Sequence, residues 1–178
     1  GEGLACYLLE IGECVLLLDC GWDERFDPEA LELLATHAPR VDAVLLTHGD
    51  LAHAGGLPYA MASLGLAAPV YATLPVCKMA QMHLYDAYAS ACAADASFET
   101  FDLDAVDAAF AGLEELKFAQ PTQLSGRASL ITISPHAAGH TIGGCFWQIS
   151  SQADEVLYVP EYNHQKERHL PGGVLDQF

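Results

Sequence analysis

Apolar residues recur along the chain in short runs broken by turn residues. Leu4 to Glu10 and Cys14 to Leu18 are two such runs separated by Ile11-Gly12-Glu13, a spacing that predicts antiparallel strands joined by a tight turn. Asp27-Pro28 opens a helix through about Thr36, with Asp27 as the capping residue, Pro28 in the first helical position, and Leu31, Leu33 and Leu34 on the apolar side. Val41 to Thr47 reads as a strand apolar on both faces, which delivers His48 to its C-terminal end. After a loop from Gly49 to Gly56, Leu57 to Leu64 is helical in pattern and Ala68 to Ala72 is a short strand. Leu74 to Ala94 and Asp102 to Leu113 predict two more helices, the first with a Met79/Met82/Tyr85/Tyr88 stripe expected to pack against the rest of the fold. Leu130 to Ile133, Cys145 to Ile149 and Val156 to Val159 are strand-like runs between Gly- and Ser-rich turns. The order implies an α/β fold with sheets covered by helices.

Composition narrows the class. The 178 residues are 52% hydrophobic with no apolar run long enough to span a bilayer, which predicts a globular domain rather than a membrane segment. Seven Lys plus Arg face 24 Asp plus Glu, a net charge of −17, and that balance repels phosphate backbones. The six cysteines, Cys6, Cys14, Cys20, Cys77, Cys92 and Cys145, lie scattered in apolar segments without a Cys-x-x-Cys pair, so they read as free, mostly buried thiols of a reducing compartment. Gly1 in place of Met and a Pro/Gly-containing tail from Leu170 predict that both ends are cuts through a longer protein.

Four loops that follow strands carry polar residues out of keeping with their surroundings. They hold Asp19, the His48/Asp50/His53 group, His140 and Glu161. Asp19 is expected to accept backbone N–H bonds in the Asp19-Cys20-Gly21 turn, with a hydrogen bond to a neighbouring site histidine, and Asp50 to close a turn or pair with a histidine of its loop. His37, His83 and His136 are expected to be structural.

The segment His48-Gly49-Asp50-Leu51-Ala52-His53 resembles the His-x-His-x-Asp-His signature of the metallo-β-lactamase superfamily, and Ala138-Gly139-His140-Thr141-Ile142-Gly143-Gly144 resembles its later histidine motif. Asp50 stands where that signature has its second His, Ala52 where it has Asp, and Glu161 where a bridging Asp is expected. Leu17-Leu18-Asp19-Cys20-Gly21-Trp22-Asp23-Glu24, Thr73-Leu74-Pro75-Val76-Cys77-Lys78-Met79-Ala80-Gln81-Met82, Asp104-Ala105-Val106-Asp107-Ala108-Ala109-Phe110 and Asn163-His164-Gln165-Lys166-Glu167 sharpen the likeness. They look like the non-catalytic β-CASP members of this superfamily that serve pre-mRNA 3′-end processing.

That resemblance implies the N-terminal part of a four-layer αββα metallo-β-lactamase fold over residues 1–178, truncated before a β-CASP insertion. It implies a pseudoenzyme in the nucleus, a structural subunit of the cleavage and polyadenylation complex that pairs with the catalytic β-CASP endonuclease subunit and other factors and meets pre-mRNA through the complex. His48, Asp50, His53, His140 and Glu161, with Asp19 nearby, then form a vestigial metal cluster with no cofactor expected, or at most one zinc. The alternative is a zinc hydrolase acting on phosphodiester or ester bonds through His48, Asp50 and His140, whose two imidazoles and one carboxylate suit Zn²⁺.

Overall fold

The structure is a computed structural model that describes residues 4–178; Gly1, on which the expectation of an interior start rests, lies outside the described residues. Two sheets stack face to face. The first has strand order β1 (Tyr7–Ile11), β2 (Cys14–Leu18), β3 (Ala43–Leu45), β4 (Val70–Thr73), β5 (Glu114–Leu116). β1 and β2 form the expected antiparallel hairpin, Tyr7 opposite Leu18, and the remaining pairs are parallel. The second sheet is antiparallel throughout: β6 (Thr122–Gln123), β7 (Thr132–Ala137), β8 (Cys145–Ser150), β9 (Glu155–Tyr158).

The period-two alternation of strand side chains assigns each apolar residue to a layer. Leu17, Val44, Leu46 and Ala72 point to one side of the first sheet and pack with helices α1 (Glu32–His37), α3 (Leu57–Ser63), α4 (Leu74–Ala94) and α5 (Leu103–Ala111). Leu16, Leu18, Leu45 and Tyr71 point to the other side and meet Ile133, Trp147 and Ile149 of the second sheet. A strand between two cores has no polar face, and all five residues of β2 are buried. Among the described residues this makes helix, sheet and sheet layers. On the outer face of the second sheet, Phe178 packs edge-on against His136 and Phe146.

Several boundaries differ from the sequence pattern for local reasons. β1 starts at Tyr7 rather than Leu4 because the Ala5 backbone is bonded elsewhere, donating to Ala52 O at 2.9 Å and accepting from Gly21 N at 2.8 Å. The Asp27-capped segment enters as a 3₁₀ turn, Pro28–Leu31, before α1, with Asp27 accepting from Glu29 N. The strand expected over Leu130 to Ile133 begins at Thr132, since Ile131 N closes a turn onto Ala128 O and leaves Leu130 64% exposed. That strand runs through Pro135, whose carbonyl accepts from Ala119 N on the side where β6 has already ended, so no ladder partner is asked of its missing N–H. α4 matches its predicted bounds, but its buried face is Val76, Cys77, Ala80 and Leu84; Met79, Met82 and Tyr85 of the predicted packing stripe are exposed.

Candidate metal centre

The site lies where strand ends converge on the turn after β3. β2 ends at Asp19, a fully buried residue with φ of 58°, a left-handed conformation that Asp tolerates better than most side chains. Its carboxylate does not bond its own turn, contrary to expectation. Oδ1 accepts from Thr47 N at 2.7 Å, and Oδ2 accepts from Thr47 Oγ1 at 2.7 Å and from the Tyr158 hydroxyl at 2.9 Å. Burial pushes the Asp19 carboxyl up to about 7 against the pull of His53 and of these donors.

Nor does Asp19 make the direct bond to a site histidine expected of it: Thr47 stands between Asp19 and His48. His48 Nδ1 lies 3.0 Å from Thr47 Oγ1, whose own proton goes to Asp19, so the imidazole donates there and carries its proton on Nδ1. Nε2 is then a lone pair, and it is buried with no hydrogen-bond partner. Burial, reinforced by His53, pushes His48 down to about 4, so it is neutral at physiological pH. Gly144 keeps the space in front of it open: a Cβ there would come within 2.8 Å of His48 Nε2.

The loop expected over Gly49 to Gly56 contains a one-turn helix, α2 (Leu51–Ala54), which turns His53 inward. Asp50 accepts from His53 Nδ1 at 2.8 Å, the loop pairing expected as one of its roles. Burial alone would lower His53, but the hydrogen bond to Asp50 and the charges of Asp19, Asp50 and Glu161 outweigh it and raise the group. The same pairing holds the Asp50 carboxyl below its ordinary value despite its burial. His83 reaches across from α4 to Gly49 O and pins this loop, and His136 bonds Gln148, both structural roles as expected.

His140, after β7, and Glu161, after β9, come together from the second sheet, with His140 Nε2 3.0 Å from Glu161 Oε2. The His140 ring centroid is 5.8 Å from that of His48. One ligand atom each of His48, His53 and Glu161 lie within 4.8 Å of one another. The structure therefore gathers every candidate residue into one place but regroups them. The expected His48/Asp50/His140 trio is not the compact one, because Asp50 is turned to His53 and His140 to Glu161.

Two supporting residues were not legible as site residues. Thr47 stands directly before His48 at the end of a buried strand, where a hydroxyl needs a partner, and that was the available signal. Tyr158 is joined to Asp19 only by the stacking of the two sheets.

Comparison with known proteins agrees with this architecture. Residues 8–178 match a family model described as the metallo-β-lactamase superfamily domain. The whole chain is 47% identical to cleavage and polyadenylation specificity factor subunit 2 of Oryza sativa subsp. japonica over 178 residues, or 24% of that protein. The corresponding subunit of Arabidopsis thaliana is 46% identical over 177 residues, 99% of this chain and 24% of the relative. The chain thus spans about a quarter of the length of these curated relatives. Among solved structures, a metallo-β-lactamase of Cronobacter sakazakii with a HARLDQ motif superposes with a TM-score of 0.54 at 18% identity, covering 94% of this chain and 61% of that one, a likeness of fold alone. On a match of nearly its full length, with two stacked sheets and a strand-end histidine cluster to go with it, the chain belongs to the metallo-β-lactamase superfamily.

Proposed function

We propose that the protein acts in the nucleus as a non-catalytic structural subunit of the machinery that cleaves and polyadenylates pre-mRNA. The observation that carries this reading is the 47% identity to cleavage and polyadenylation specificity factor subunit 2 across the whole chain. The site supports the non-catalytic half of it. Ala52 offers no donor where the signature has its aspartate, and Asp50 is engaged by His53. A two-metal hydrolase needs donors at both positions. On this reading the fold serves as an interaction platform that pairs with a catalytic β-CASP endonuclease subunit and meets pre-mRNA through the assembly. No helix of the described residues is long and apolar enough to cross a membrane.

The test is cleavage of a polyadenylation substrate in nuclear extract depleted of the full-length protein and then restored with variants. Protein carrying His53→Ala and Asp50→Ala is expected to restore cleavage as well as the parent. Lost cleavage from a complex that still assembles would overturn the reading.

A zinc hydrolase is the second reading, favoured by one observation, the unpartnered Nε2 of His48. A zinc ion held there would supply Lewis acidity toward water or a phosphodiester oxygen. His48 and His53 would bind it and Glu161 would complete the charge. Zinc-dependent turnover of an activated phosphodiester, lost in His48→Ala, would favour this reading over the first.

A further inference from the structure

We propose that Cys6 and Cys20 form a redox-active dithiol, a modification site that a peroxide oxidises to a disulfide between the start of β1 and the turn after β2.

The backbone sets the two residues opposite one another. The β1–β2 ladder runs in register as far as Tyr7 opposite Leu18. Beyond it, Gly21 N donates to Ala5 O at 2.8 Å, one residue further along than that register would place the bond. The extra residue is Asp19, whose positive φ makes a bulge, so Asp19 and Cys20 together face Cys6. The bulge also decides direction. Val15 and Leu17 point to the helices and Leu16 and Leu18 to the second sheet, so plain alternation would send Cys20 toward the second sheet. With one residue inserted, Cys20 returns to the helix side, where Cys6 packs as well. The two thiols are hydrogen-bonded to one another there. Opposed residues of antiparallel strands stand about 4.5–5.5 Å apart at Cα, inside the roughly 4.4–6.8 Å that a disulfide spans.

The two sulfurs are unequal. Cys6 is half-buried and Cys20 fully buried, so oxidant meets Cys6 first. Its sulfur attacks hydrogen peroxide and breaks the O–O bond; Cys6 becomes a sulfenic acid and one water leaves. The Cys20 sulfur then attacks the Cys6 sulfur, forming the S–S bond and expelling the sulfenic oxygen as a second water. Two thiols are oxidised and one peroxide is reduced, which closes the balance. Two glutathione thiols reverse it by exchange and leave as their own disulfide. Cys14 and Cys145 are engaged elsewhere, donating to Arg127 O at 2.9 Å and to Leu46 O at 3.7 Å. The bond would close a ring of 15 residues, Cys6 through Cys20, around the opening hairpin. It would also brace the α2 loop, because Ala5 N donates to Ala52 O, Cys20 N to His53 O and Gly56 N to Cys20 O.

The test uses the full-length protein carrying this sequence, reduced, freed of reductant, exposed to hydrogen peroxide and then capped with iodoacetamide. Cleavage after Glu10, Glu13 and Glu24 puts Cys6 and Cys20 on separate peptides, so a bond between them appears in the mass spectrum as one joined peptide that separates on reduction. Cys14 shares the Cys20 peptide, and Cys14→Ser shows which sulfur is used. The parent and Cys14→Ser are both expected to give the joined peptide, to lose capping at Cys6 and Cys20, and to recover both thiols with glutathione. Oxidised parent should melt at a higher temperature than reduced parent. Cys6→Ser should show no such rise and keep Cys20 fully capped after peroxide; Cys6 is half-buried, so this variant keeps its fold, and an unchanged circular dichroism spectrum shows that it has. Cys20→Ala should leave Cys6 as a sulfenic acid that dimedone captures. Full capping of both cysteines in peroxide-treated parent would overturn the proposal, as would a joined peptide that disappears in Cys14→Ser.

Discussion

Asp19 is the residue on which most of the polar interior depends. It satisfies three donors at once, the Thr47 amide, the Thr47 hydroxyl and the Tyr158 hydroxyl, in a place with no water-exposed surface. Removing a shared acceptor strands its donors, whereas removing one donor leaves the others served. Asp19→Ala is therefore expected to destabilise by about 3 kcal/mol or more, with an added penalty for Ala at a positive φ, and Tyr158→Phe by about 1 kcal/mol. Urea denaturation of the two single variants and the double variant measures both. Tyr158→Phe should cost less in the Asp19→Ala background than alone, because its acceptor is already gone. Equal costs in both backgrounds would show that the hydroxyl works independently of Asp19. The sequence revealed Asp19 as a polar residue ending an apolar strand. It did not reveal its partners, since Tyr158 lies far along the chain and reaches it only once the two sheets have stacked.

At the scale of elements, legibility followed length and the number of buried faces. β2, β8 and α4 were read within a residue of their bounds, because their apolar patterns are continuous and end at turn or capping residues. The elements missed, the one-turn helix α2, the short strands β5 and β6 and three 3₁₀ turns at Ala38–Arg40, Gly126–Ala128 and Leu175–Gln177, are each too brief to show a period. The face of α4 was misassigned for a different reason. Its helix is rich in alanine, and the burial of Ala80 between Val76 and Leu84 is hidden by the bulkier Met79, Met82 and Tyr85, which point outward. Volume in the sequence is a poor guide to the buried side when the helix packs closely through small residues. Leu84→Ala is accordingly expected to cost about 2–5 kcal/mol, while Met82→Gln, at a position 62% exposed, should stay within about 0.5 kcal/mol. Thermal and urea unfolding distinguish these, and a large loss for Met82→Gln would return the methionine stripe to the core.

For the molecule as a whole, charge is the property that the sequence states most directly and the fold changes least. A net charge of −17 on 178 residues leaves seven Lys and Arg, and two of them are already paired, Arg40 with Glu10 and Arg127 with Asp42. The first pair is exposed and contributes little to stability, while in the second the Asp42 side chain is nearly buried and also accepts from Val15 N; both remove cations from what an RNA strand would meet. Binding to a phosphate backbone draws its affinity from counterions released as Lys and Arg neutralise it, and a surface of the opposite balance offers repulsion instead. Aromatic stacking would have to supply the deficit, yet the exposed aromatics among the described residues, Tyr7, Tyr85, Phe118 and Phe178, form no aromatic pair with one another. This chain by itself is therefore expected to bind single-stranded RNA more weakly than about 100 μM at moderate salt. Fluorescence anisotropy with a labelled oligonucleotide, at two salt concentrations, reads the outcome. Submicromolar binding that weakens steeply with salt would reveal a local basic groove that the summed charge conceals. A flat titration would leave contact with pre-mRNA to other surfaces of the assembly, as the structural-subunit reading requires.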